Sequence, residues 1–73
     1  MHYSYNKLWK LLIDKKMKKK DLEAAADIAS STMAKMSKGL PVNLDVLARI
    51  CKVLEVNIGD ILEIFFNLGE KHD

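Results

Sequence analysis

Apolar positions recur along this chain at helical spacing, in short blocks separated by polar or turn-forming residues. Leu8, Trp9, Leu12 and Ile13 form one stripe with Lys10, Asp14 and Lys15 outside it, and predict a first helix from about Lys7 to Lys16. Leu22, Ala25 and Ala26 stand at i, i+3, i+4 and predict a second over about Lys19 to Ala26. Met33 and Met36 place a third over about Ser30 to Ser37, with Ile28 in the tight turn facing the same interior. Gly39 fits a left-handed cap on this helix, and Pro41 in the extended connector Leu40-Pro41-Val42 bars its continuation. Asn43 is a good N-cap for a fourth helix, about Leu44 to Leu54, whose stripe is Leu47, Ile50, Cys51 and Leu54. Asn57 caps a fifth, from Ile58 to about Phe65 or Phe66, with Asp60 accepting from its free N–H groups. Ahead of the helices, Met1 to Asn6 reads as a short arm in which Tyr3 and Tyr5 alternate with polar residues, as in a strand. The expected class is all-α, a compact five-helix domain.

Composition narrows the picture. The chain of 73 residues makes a single domain, 1–73, near the lower size limit for folding alone, with 1–6 as an N-terminal arm and 67–73 as a polar C-terminal tail. An apolar content of 49% argues against disorder. No apolar run approaches the roughly 20 residues of a membrane span, so no membrane partner is expected. The N-terminal M-H-Y-S-Y-N has no signal-peptide core. Cys51 is alone, which excludes an intrachain disulfide or thiolate metal cluster and fits a reducing cytoplasm. Inside its stripe it reads as a buried small hydrophobe, and Trp9 likewise as core. There are no paired carboxylates in an apolar setting, no nucleophile–base pair and no phosphate-cradling glycine loop, so the chain does not read as an enzyme. His2 and His72 lie near the termini and do not make a metal site; no cofactor or small-molecule ligand is expected.

Charge is unevenly placed. Up to Gly39, nine lysines face Asp14, Asp21, Glu23 and Asp27, a net of +5; from Leu40 onward the balance is −3. That polarity suits a polyanion on one side. The positive half contains the third helix, whose outer side shows only Ser30, Ser31, Thr32, Ala34, Lys35 and Lys38. A face so small, polar and basic can enter a DNA major groove and hydrogen-bond there. Lys18, Lys19 and Lys20 crowd the start of the second helix, where the dipole disfavours cations and Asp21 offsets part of the cost. They are either a solvated lysine run or a phosphate clamp on a helix N-terminus.

The ordered set of K-L-W-K-L-L-I at Lys7 to Ile13, K-K-D-L at Lys19 to Leu22, S-S-T-M-A-K-M at Ser30 to Met36, Lys38-Gly39, L-A-R-I-C-K-V-L at Leu47 to Leu54 and G-D-I-L-E-I at Gly59 to Ile64 resembles one family. It is that of the Cro-like, phage-repressor or xenobiotic-response-element helix-turn-helix regulators, in particular the small single-domain members. The resemblance covers about Asn6 to Ile64. It implies five short helices with the helix-turn-helix at the second and third. It implies sequence-specific binding of double-stranded DNA by a small transcriptional regulator, a repressor acting as a homodimer. By position, Lys19 or Lys20 would hold backbone phosphate with Lys18 beside them. Ser30, Ser31, Thr32 and Lys35 would meet base edges or phosphate, and Lys38 would lie near the backbone after the helix. The chain departs from the family pattern at Asp27, where glycine is usual, at Ala29, where a Ser or Thr cap is usual, and at Glu23, where a small residue is usual.

Two further expectations come from the residues. No Arg, Asn or Gln stands on the exposed face of the third helix, so base reading should be modest. Ile61, Leu62 and Phe65 would face the core from a fifth helix, leaving Ile64, Phe66 and Leu68 outward either as a homodimer interface, with the N-terminal arm as a second contact, or as a tail folded back over its own domain. The alternative is an adaptor or antitoxin-like module that uses the same fold for protein contacts without strong DNA specificity. An apolar third-helix face would mark it, and here that face is polar.

Overall fold

The computed structural model describes residues 1–66. In chain order they form strand β1 (His2–Ser4), helices α1 (Asn6–Asp14), α2 (Lys19–Ala26), α3 (Ser30–Ser37) and α4 (Leu44–Leu54), a 3₁₀ turn at Ile58–Asp60, and strand β2 (Glu63–Phe65). Each helix sends two or more apolar side chains into one shared core: Leu8 and Leu12 from α1, Leu22 and Ala26 from α2, Met33 and Met36 from α3, and Val46, Leu47, Ile50 and Leu54 from α4. Tyr5, Ile28 and Ile61 fill the spaces between them. Thirteen apolar residues are thus buried, with no buried polar or charged side chain among the described residues. Burial of this apolar surface is the main term holding so small a unit together.

The helices all end the same way. One or two residues past each end the backbone is left-handed: Lys16 at φ 56°, two places after α1, Asp27 at 56°, directly after α2, Gly39 at 72°, two places after α3, and Glu55 at 58°, directly after α4. The next amide then turns back onto the last helical turn, Met17 to Leu12 O at 2.8 Å, Ile28 to Glu23 O at 2.9 Å, Leu40 to Lys35 O at 2.9 Å and Val56 to Cys51 O at 3.0 Å. This reversal satisfies a carbonyl near the helix end, and at Met17, Ile28 and Val56 it brings the following apolar residue onto the core, while Leu40 stays exposed. Only Gly39 reaches the conformation without a Cβ penalty. It has a second reason to be glycine, since a Cβ there would stand 3.1 Å from the backbone oxygen of Tyr3.

The expected fifth helix is replaced. After one 3₁₀ turn, capped by the Asn57 N–H on Asp60 Oδ2 at 2.9 Å, the chain extends and β2 pairs antiparallel with β1. The register sets His2 opposite Phe65, Tyr3 opposite Ile64 and Ser4 opposite Glu63. A helix this short is marginal, whereas Ile64 and Phe65 favour extended backbone and the arm offers ladder partners. The described residues therefore hold four α-helices and a two-stranded sheet, not five helices alone. The strand-like alternation of Tyr3 and Tyr5 belongs to β1 and to the residue that follows it.

Other expectations shift with this. α1 starts at Asn6 and ends at Asp14, and Ile13 is 73% exposed, outside the stripe it was expected to join. Ala25 is exposed and Cys51 half-buried. Ile61 is fully buried and Leu62 half-buried, but Phe65 lies outward with Ile64 and Phe66. Leu68 and the 67–73 tail lie outside the described residues.

Candidate nucleic-acid interface

The helix-turn-helix is positioned by three ties. The first is apolar: Met33 and Met36 are buried, so α3 is fixed to the core by one side and its other side is turned out. The second is at the turn. Arg49 of α4 donates from Nη1 to the carbonyls of Asp27 at 2.7 Å and Ala26 at 3.4 Å, while Nη2 pairs with Asp45 Oδ2 at 3.1 Å. A guanidinium there satisfies free carbonyls at the C-terminus of α2, the end that favours a cation. The third ties the ends of α2 and α3. Lys19 Nζ donates to Ser37 Oγ at 2.9 Å and lies 4.2 Å from the centroid of the Trp9 ring, a cation–π contact.

Outside these ties, Ser30, Ser31, Ala34, Lys35 and Lys38 are exposed along α3 and its end, with Thr32 half-buried. Ser30 is engaged: its hydroxyl donates to Glu23 Oε1 at 3.0 Å across the turn. It therefore does not replace the cap missing at Ala29, which makes no side-chain hydrogen bond. At the start of α2, Lys18, Lys19 and Lys20 are exposed together. The Lys18 N–H donates to Asp21 Oδ2 at 2.8 Å, so the carboxylate offsets the positive helix end from within. The ammonium groups of Lys18, Lys20, Lys35 and Lys38 have no partner among the described residues, unlike that of Lys19. Lys7 is drawn away, onto the Gly59 carbonyl at 3.1 Å.

Sequence reasoning missed two of these groups. Arg49 is the chain's one arginine and stands four residues after Asp45, a pattern that marks a helical ion pair but gives no hint of the turn it caps. Glu23 was visible as a departure from pattern, but its bond to Ser30 depends on how α2 and α3 cross.

Comparison with known proteins agrees with the helix-turn-helix fold. The family model of the Cro/C1-type HTH DNA-binding domain matches residues 7–67. The chain is similar to the crystal structure of transcriptional regulator VanUg, Form II, with a TM-score of 0.82 and 52% sequence identity over 85% of this chain and 83% of that one. No curated protein matches.

Proposed function

The chain belongs to the Cro/C1-type helix-turn-helix DNA-binding family, and from that premise we propose that this DNA-binding regulator acts as a repressor, reading duplex DNA with α3 as a homodimer. The observation that carries the reading is the outward face of α3. It is polar and basic from Ser30 to Lys38 and is held rigidly from behind by Met33 and Met36. Ser30, Ser31, Thr32 and Lys35 are the proposed base readers. Lys35 can donate to guanine O6 or N7, and Thr32 or Ala34 can touch a thymine methyl. Lys18, Lys19, Lys20 and Lys38 are the proposed phosphate contacts, which position the helix without reading sequence. Occupying a site is enough to exclude other proteins from it, which makes repression the simplest outcome. The work belongs in the cytoplasm, where a lone thiol stays reduced.

The dimer reading moves from a helix to the sheet. Ile64 and Phe65 of β2 and Phe66 just after it are 45%, 43% and 64% exposed, a contiguous apolar run. Among the described residues β2 has a partner strand on one side only. Ile64 and Phe66 share a strand face and are proposed to meet their copies across a two-fold axis. Two copies of α3 would then read a pseudo-palindromic site.

Selection from a random duplex pool with purified protein tests the function. The expected result is an enriched motif with two-fold symmetry. Recovery of unselected sequence would remove DNA reading and leave a protein-contact module.

A further inference from the structure

Glu23 brings a carboxylate to the first residue of α3. Its Oε1 accepts from Ser30 Oγ at 3.0 Å, and a carboxylate offers a hydroxyl only acceptors, so the single hydroxyl proton of Ser30 points at Glu23. Ser30 therefore presents lone pairs, and no donor, to whatever lies beyond α3. Glu23 Oε2, without a hydrogen bond among the described residues, adds another acceptor alongside. The pair has a local reason to persist. The N-terminus of α3 lacks a side-chain cap at Ala29, and its positive end favours a carboxylate nearby.

We propose that Glu23 determines base specificity: together with Ser30 it reads a base carrying an exocyclic amino group, cytosine before all others. In the major groove only cytosine N4 and adenine N6 donate, while guanine and thymine turn acceptors or a methyl group outward. Adenine N6 is flanked by acceptors on both sides, its own N7 and thymine O4, which would oppose the two protein acceptors; cytosine N4 has guanine O6 on one side and only the C5–H edge on the other. The inference rests on base reading by α3 as proposed above. It also explains how a helix without Arg, Asn or Gln on its outer face can discriminate at one position.

Duplexes selected from a random pool by the wild-type protein and by Glu23→Gln are compared, and affinities are then measured on the winning duplex and on one with the affected pair reversed. The wild-type motif should hold a cytosine whose preference over guanine falls by about tenfold in Glu23→Gln, because an amide can donate as well as accept. The remaining positions should be unchanged. Glu23→Ala, which takes both acceptors away, should show the same loss and serves if the amide variant loses helix content by circular dichroism. Identical motifs for all three proteins would overturn the inference. So would uniform tightening on every duplex, which would make Glu23 a repulsive charge only. A wild-type protein that enriches no motif overturns the DNA-reading proposal itself, and this inference with it.

Discussion

Lys16 and Glu55 hold a backbone conformation that suits glycine, at φ 56° and 58°. The Cβ penalty there is roughly 1–2 kcal/mol, of which glycine's greater freedom in the unfolded chain takes back about 0.5–1. Lys16→Gly and Glu55→Gly should each stabilise the protein by about 0.5–1 kcal/mol, read as a higher urea midpoint at unchanged slope. Tyr5 gives a pH prediction. It is 2% exposed, and its hydroxyl donates to the Leu40 carbonyl at 2.9 Å. Burial first, and Tyr3 second, push its phenol above the ordinary 10.0. The folded state thus holds this proton more tightly than the unfolded chain does. Its contribution is complete below the ordinary value and is lost as pH rises through the raised one. Tyr5→Phe should cost about 1 kcal/mol at pH 7 through the lost hydrogen bond. It should also weaken the fall of the urea midpoint in strong base.

At the scale of the element, α2, α3 and α4 have the bounds that periodicity and caps predict, because each has a buried stripe and a left-handed stop. The segment after Asn57 departs from the predicted helix because its apolar run suits either a helix or a strand. What decides is the arm some sixty residues earlier, a pairing that no local pattern records. The candidate site divides in the same way. That α3 turns a polar face outward was legible from Met33 and Met36, whereas the roles of Glu23, Arg49 and Lys19 depend on side chains from different helices meeting. Lys19 and Lys20, adjacent in sequence, are thereby set apart. Lys20→Ala and Lys38→Ala should each reduce the slope of log affinity against log salt by about 0.9, without loss of stability, if each ammonium meets a phosphate. An unchanged slope in titrations from low to moderate salt would remove that lysine from the interface.

For the whole molecule, the sheet does two jobs. β1 holds β2, and the Tyr3 carbonyl lies against Gly39 at the end of α3, so β1 connects the apolar edge to the proposed reading helix. Light scattering at micromolar protein should find twice the chain mass. Phe66→Asp and Ile64→Asp should each halve it while helix content stays near that of the parent, because both side chains lie outside the core. Taking such a side chain from full exposure to full burial is worth roughly 1.5–3 kcal/mol, and the 45% of Ile64 and 64% of Phe66 still exposed would contribute a corresponding share of that to the proposed association. A parent protein that stays monomeric, free and on DNA, would reassign this edge to contacts other than self-association.

The Lys19 ammonium above Trp9 has an optical consequence. The chain has one tryptophan, and that cation rests 4.2 Å from its ring centroid while bonded to the last residue of α3. Indole emission responds to a charge at that distance, so a phosphate that draws Lys19 off the ring changes the colour and yield of the light. If Lys19 meets phosphate as proposed, Trp9 serves as a built-in fluorophore for occupancy. Unlabelled duplex should shift the emission on titration, and Lys19→Ala should emit at the shifted position before any DNA is added.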